Sequence, residues 1–279
     1  DNPLGYKFSW NPRNVILAGQ GTARFLENEQ LKFIPYNRLF AHPELITFSD
    51  DLVFDGYPNR DSLTYREVYG LDSIHTLIRG TLRHPGFCRA WNILVQLGVT
   101  DDSYHFPLKN GSTYLDFISA YLPSKQTDPS IALKQLLGAD YEQEAINKII
   151  WTGLFSNEEI PLKEGSPAAI LQELLERKLK LLPSDRDLIV MQHEFSGMLH
   201  DQKFNTVSSL YLEGNDSHHT AMAKTVGLPL AIGLKQLIEK RYTKKGLILP
   251  IEPAFYEPVL NELESQFDIS FSEKETVNS

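Results

Sequence analysis

Cysteine is almost missing from this chain: Cys88 stands alone among 279 residues. A disulfide within the chain is therefore excluded, and a reducing compartment, with the cytoplasm as the default, is the natural setting. Net positive charge is missing too. Against 27 Lys and Arg stand 36 Asp and Glu, a formal charge of -9, which excludes the basic face that nucleic acid or an anionic membrane surface requires. No apolar run reaches bilayer-spanning length, and repeats and low-complexity tracts are absent. Metal-ligand spacing is also lacking. His193-Glu194 has no second histidine at helical spacing, and no carboxylate or thiol cluster joins His200, His218 and His219. What is present, 42% hydrophobic and 23% charged residues, is ordinary globular material, enough for one or two domains.

The most distinctive stretch runs from Asp55 to Phe87, DGYPNRDSLTYREVYGLDSIHTLIRGTLRHPGF. A guanidinium keeps its charge and binds a carboxylate through two parallel hydrogen bonds. Arg60, Arg79 and Arg83 converging on one cavity would therefore select an acidic ligand, whereas arginines spread over a surface are ordinary solvated residues. Asp51 to Tyr57 reads as a strand ending in a turn at Pro58-Asn59. That turn aims Arg60, with Asp61 and Ser62 holding it. After a short helix near Thr64 to Tyr69, Ser73 to Arg83 alternates as a strand. Arg79, Thr81 and Arg83 fall on one face, and Ile78, Gly80 and Leu82 on the other. A ligand-facing strand and a solvent-facing one share this pattern. Gly80 permits close approach of a ligand or a neighbouring chain.

Elsewhere the pattern is organisational. Val15-Ile16-Leu17-Ala18 before Gly19-Gln20-Gly21 imitates a dinucleotide fingerprint, but Arg24 replaces the third glycine and no βαβ pattern follows. From Pro85 to about Ser184 the spacing is helical, with a first helix from Phe87 stopped by Gly98 and breaks at Pro123-Ser124 and Gly165-Ser166-Pro167. Two strands, Asp187 to Phe195 and Asn205 to Glu213, are expected as an antiparallel pair joined by a loop around Gly197 to Gln202. A helix follows from about His218 to Lys240, capped by Asn215, Asp216 or Ser217 and interrupted at Pro229. A last helix spans about Pro253 to Gln266, and the polar tail after Phe271 is expected to be mobile.

Read as strings, GYPNRDSL, TLIRGTLRHPGF, the opening DNPLGYKFSW, and later DLIVMQHEF and TAMAKTVGLPLAIG occur in order from Asp1 to about Pro258. Together they make the chain resemble the NADP-linked, glutamate-forming saccharopine dehydrogenases, or saccharopine reductases. The resemblance implies an α+β fold, a mixed and largely antiparallel sheet covered by helices, with an inserted all-helical domain. Residues 1–84 and 185–279 would form a discontinuous substrate-binding domain and 85–184 the helical insertion. Asn14 to Glu29 would be a helix on the substrate-domain sheet. The chain does not open on Met, and the family's nucleotide-binding domain, which binds NADP, is expected upstream. The implied ligand is saccharopine, an amino acid with three carboxylates, interconverted with L-glutamate and α-aminoadipate semialdehyde. Its implied contacts are Arg60, Thr81, Leu82 and Arg83, with Trp10 shaping the cavity and Arg79 a further candidate. Lys7 and Ser9 join Trp10 as wall residues, unless Tyr6, Phe8 and Trp10 alternate into a core instead. The proton-transfer group is not identifiable, although Lys7, Asp61 and His84 are candidates. Other readings are an oxidoreductase for another amino-acid or polyamine imine, and a noncatalytic binding or oligomerisation module. A homodimer is the assembly to test.

Overall fold

The computed structural model of the chain describes residues 2–18, 20–123, 128–139 and 141–278. Asp1, Gly19 of the imitation fingerprint and Ser124 of one predicted break lie outside the described residues. The chain divides into two compact units, Asp1–Lys180 and Leu181–Ser279. Helices combine with three antiparallel sheets, in keeping with the α+β reading.

The first unit opens with a short helix, α1 (Pro12–Ile16), whose first turn is satisfied by the Asn11 side chain accepting from the Arg13 N–H. The helix ends there. Residues 23–27 form β1 (Ala23–Glu27), which buries Ala23, Phe25 and Leu26 and exposes Arg24. It pairs with β2 (Gln30–Ile34) through Asn28 and Glu29, at φ of 48° and 66°. Two positive-φ residues make the tight hairpin turn whose twist matches antiparallel strands. The helix implied for Asn14 to Glu29 is therefore corrected: the β1–β2 hairpin takes its second half. Likewise, helix α1 occupies the place where a nucleotide fingerprint needs a strand.

A three-stranded sheet follows in the order β3 (Glu44–Ser49), β4 (Leu52–Pro58) and, beyond the short helix α2 (Thr64–Val68), β5 (Gly80–Arg83). The strand expected from Ser73 begins only at Gly80. Before it, Leu77 exchanges backbone hydrogen bonds with Leu26 at 2.8 and 3.2 Å, and the Arg79 N–H is taken by Ser62 Oγ at 2.9 Å. Those backbone groups find partners in a neighbouring hairpin and turn, so they do not extend the sheet.

Among the described residues, five further helices complete this unit: α3 (Phe87–Leu97), α4 (Tyr114–Ser119), α5 (Pro129–Leu137), α6 (Gln143–Trp151) and α7 (Pro167–Lys178). Helix α3 is apolar on nearly every side and runs through the core, with Phe87 and Trp91 stacked at 5.1 Å. Burying such a side chain contributes about 1.5–3 kcal/mol. Gly86 and Gly98, at φ of 80° and 79°, bracket it in the left-handed region that glycine enters without steric cost. Gly86 offers no side chain to cap the helix, and the buried Asp55 of β4 does so from a distance. Its Oδ2 accepts from the N–H groups of Gly86 and Cys88 at 2.9 and 3.2 Å. Burial, before the nearby Asp55 charge, pushes the Cys88 thiol far up, which leaves it an inert core residue.

In the second unit β6 (Leu188–Leu199) and β7 (Gln202–Glu213) form one long hairpin. Its turn is only His200-Asp201, at φ of 49° and 64°, rather than a loop from Gly197. Helix α8 (Ala221–Ile238) starts three residues later than expected, because Thr220 accepts from the Ala223 N–H while Asp187 accepts from Ala221 and Met222. Asp216, one of the expected caps, instead accepts from His218 and His219 at 2.8 and 2.7 Å. Pro229 lies inside α8. Leu210 and Ile232 meet Val259 and Leu263 of α9 (Pro253–Phe267) in a small core. The tail expected to be mobile is a strand, β8 (Ser272–Asn278), paired with β7 from Ser209↔Ser272 to Lys203↔Asn278. Its alternating Glu273, Lys274 and Glu275 suit an edge strand, where charge discourages further pairing. Among the described residues no helix is long and apolar enough to cross a membrane.

Candidate functional site

The site is built on the β4–β5 pairing. Asp55 lies opposite Arg83, Gly56 opposite Leu82, Tyr57 opposite Thr81 and Pro58 opposite Gly80. Side chains alternate along a strand, so Asp55, Tyr57, Thr81 and Arg83 share one face and Leu82 projects from the other. Leu82 is linked to Arg83 through its backbone, its carbonyl accepting from Arg83 Nη1 at 3.2 Å. The strands are close enough that a Cβ on Gly80 would stand 3.2 Å from the Tyr57 carbonyl oxygen.

Arg83 is the most unusual of the predicted residues. Its guanidinium carbon lies 5.1 Å from the ring centre of Tyr6 and 5.6 Å from that of Phe87. Its Nε is buried and has no hydrogen-bond partner among the described residues. An unpaired buried donor on a cation is costly unless a ligand completes it, and carboxylate is the matching acceptor. Burial pushes the Tyr6 phenol up, opposed by the Arg83 charge and a hydrogen bond with Trp10, so Tyr6 stays neutral. Trp10 is thereby tied to Tyr6, 45% exposed, and outside the core into which the aromatic alternation could have drawn it. Thr81 accepts from Asn59 Nδ2 at 3.0 Å and is hydrogen-bonded to the Tyr57 hydroxyl across the strands. Tyr57, 4% exposed and also pushed up by burial, closes the floor beneath Thr81 and Arg83.

Arg60 stands on the neighbouring turn at φ 54°, exposed, with its carbonyl accepting from the Arg24 N–H at 2.8 Å. Asp61 holds the turn by accepting from the Leu63 N–H at 2.9 Å and pairing with Arg24, and the buried Ser62 anchors Arg79. No hydrogen bond or ion pair engages the Arg60 guanidinium among the described residues, so its fork is available. The Arg79 guanidinium is turned onto Tyr65 of α2, bonded to its hydroxyl and 5.0 Å from its ring centre. Of the titratable candidates, Asp61 is in its ion pair, His84 lies against Phe54 at 5.8 Å, and Lys7, like Ser9, is half-buried.

Tyr6, Asn59 and Asp55 are the residues that sequence reasoning passed over. Asp55 and Tyr57 could have been found from period two in DLVFDGYP, which puts both on the Arg83 face. Two open concavities, of about 230 and 640 Å³, are lined by other residues, including Arg66 and His75 in one and Tyr36 and Asp102 in the other.

Comparison with known proteins gives a consistent result. The family model for the saccharopine dehydrogenase C-terminal domain matches residues 1–269. The mitochondrial alpha-aminoadipic semialdehyde synthase of Mus musculus is 33% identical over 287 residues, covering 99% of this chain and 30% of that protein. Saccharopine dehydrogenase (NADP+, L-glutamate-forming) of Saccharomyces cerevisiae is 31% identical over 281 residues, covering 98% of this chain and 63% of that protein. The solved apo structure of the histidine-tagged Saccharomyces cerevisiae saccharopine dehydrogenase (L-Glu forming) superposes with a TM-score of 0.85 at 28% identity. It covers 99% of this chain and 63% of that one. The chain thus spans less than two thirds of the length of the relatives it matches.

Proposed function

Since the chain belongs to the family of saccharopine dehydrogenase C-terminal domains, we propose that it is the substrate-binding portion of a saccharopine reductase. The reaction interconverts saccharopine with L-glutamate and α-aminoadipate semialdehyde in lysine metabolism. In the synthetic direction the amine of glutamate and the aldehyde condense to an imine with loss of water. A hydride to the imine carbon and a proton to its nitrogen then give the secondary amine. The hydride belongs to NADPH. Helix α1 occupies the place where the fingerprint imitation would need a strand, so that segment does not fit the cofactor, and NADP is assigned mainly to a nucleotide-binding domain outside this chain. A reducing compartment such as the cytoplasm fits the single buried Cys88.

The observation that carries this reading is the Arg83 guanidinium, walled by two aromatic rings with a buried donor left unpaired. Arg60, unengaged among the described residues, offers a second carboxylate site, with Thr81 on the same face as Arg83. Three carboxylates on saccharopine match this set of donors. The test is NADP reduction, followed by absorbance, when saccharopine is added to the native-length protein. Arg60→Ala should raise KM for saccharopine about 10- to 100-fold, the worth of one charge-assisted contact, with folding intact. No turnover by a native-length protein that includes its nucleotide-binding domain would overturn the assignment. An unchanged KM in the variant would remove Arg60 from the site.

A further inference from the structure

Arginine normally keeps its long side chain mobile, yet Arg83 has little freedom. Tyr6 and Phe87 meet edge-on, their ring centres 5.5 Å apart at 62°, and form a corner around its guanidinium. The ring faces are electron-rich, so the contact attracts a cation, and more strongly where water is kept out. The corner and the bond to the Leu82 carbonyl fix the plane of the group. Of its five donors, the buried Nε–H still has no partner among the described residues.

The two walls differ in how they are held. Phe87 is buried at the start of α3 and stacked on Trp91. Tyr6 sits on the loop before α1, edge-on to Phe8 at 5.7 Å and hydrogen-bonded to Trp10. The preceding Gly5 is at φ 57° and packed so tightly that a Cβ there would lie 2.8 Å from His84 Cβ. The loop thus packs against the end of β5, Tyr6 on Arg83 and Gly5 on His84.

We infer that Tyr6 is a positioning residue for carboxylate recognition. Its ring, with that of Phe87, sets the plane of the Arg83 guanidinium, and its hydroxyl ties Trp10 to the same place. The inference rests on the reading of Arg83 as a carboxylate binder given above.

In the native-length protein, Tyr6→Leu should raise KM for saccharopine about 30-fold, the value of one desolvated cation–π contact, with kcat and KM for NADP unchanged. Tyr6→Phe keeps the ring beneath Arg83 and should restore most of that loss. In an Arg83→Met background Tyr6→Leu should add nothing, because it acts through Arg83. An unchanged KM in Tyr6→Leu, or its full effect persisting without Arg83, overturns the inference. A second measurement does not depend on the substrate: phenylglyoxal labelling of Arg83, read by peptide mass spectrometry. It should run severalfold faster in Tyr6→Leu than in the unmodified protein or Tyr6→Phe. Equal rates overturn the role of Tyr6, whereas faster labelling in a protein that does not turn over saccharopine supports that role and sinks the functional reading instead.

Discussion

Asp55→Ala tests how the site is joined to the helical core. The Asp55 carboxylate is 3% exposed and accepts from Gly86 and Cys88, the first N–H groups of α3. Gly86 cannot replace it, having no side chain. Each buried donor left unpaired costs about 1–3 kcal/mol, and losing a negative charge at a helix start about 0.3–1 kcal/mol more. Gly86 is only half-buried, so water recovers part of its share and the sum is about 2–4 kcal/mol. For a unit of this size that lowers Tm by about 5–15 °C. Thermal and guanidinium unfolding of the 279-residue chain measure it directly. Asp55→Asn, which keeps an acceptor oxygen without the charge, should lose about half as much. Because Asp55 pairs with Arg83 across the strands, the native-length Ala variant should also bind saccharopine more weakly. An Ala variant within about 0.5 kcal/mol of the parent would refute the claim that Asp55 caps α3.

Two further outcomes follow from local geometry. Gly5→Ala places a side chain at φ 57° against His84, costing about 1–2 kcal/mol for the left-handed backbone alone; Tm should fall and KM for saccharopine rise as Tyr6 is displaced, and no change in either would show that the loop can yield. Asp102 is held below the ordinary carboxylate range by Arg13 first and then by the Ser166 hydroxyl. Its folded pKa is the lower one, so its contribution is present above the unfolded value and lost as pH falls through the folded value. Asp102→Asn should therefore cost about 0.2–1 kcal/mol at neutral pH, as for an exposed pair, with the difference closing in acid. A difference that does not vary with pH would refute the ion pair.

Much of the local structure was legible in the residues. The apolar spacing from Phe87 and the stop at Gly98 delimit α3, and Asp61 and Ser62 hold the turn that carries Arg60. The long strings around Arg60 and Arg83 were enough to point to the family. Most of the misread segments share a cause. Residues 73–79 bond to β1 and to Ser62, α8 takes its cap from Asp187, and the charged tail joins β7, and in each the partner of a backbone donor lies far away in the chain. Residues 14–29 differ, because their second half closes locally into a hairpin at Asn28-Glu29.

The site divides in the same way. The sequence by itself determined which side chains share the β5 face, because period, turn chemistry and side-chain charge are properties of neighbouring residues. Only the tertiary structure decided that Tyr6 and Phe87 wall in Arg83, that Arg79 is engaged by Tyr65 while Arg60 is left unengaged, and that Asp55 caps α3. Those choices are settled by burial, where distant groups compete for one donor or one ring face and the best-packed partner wins.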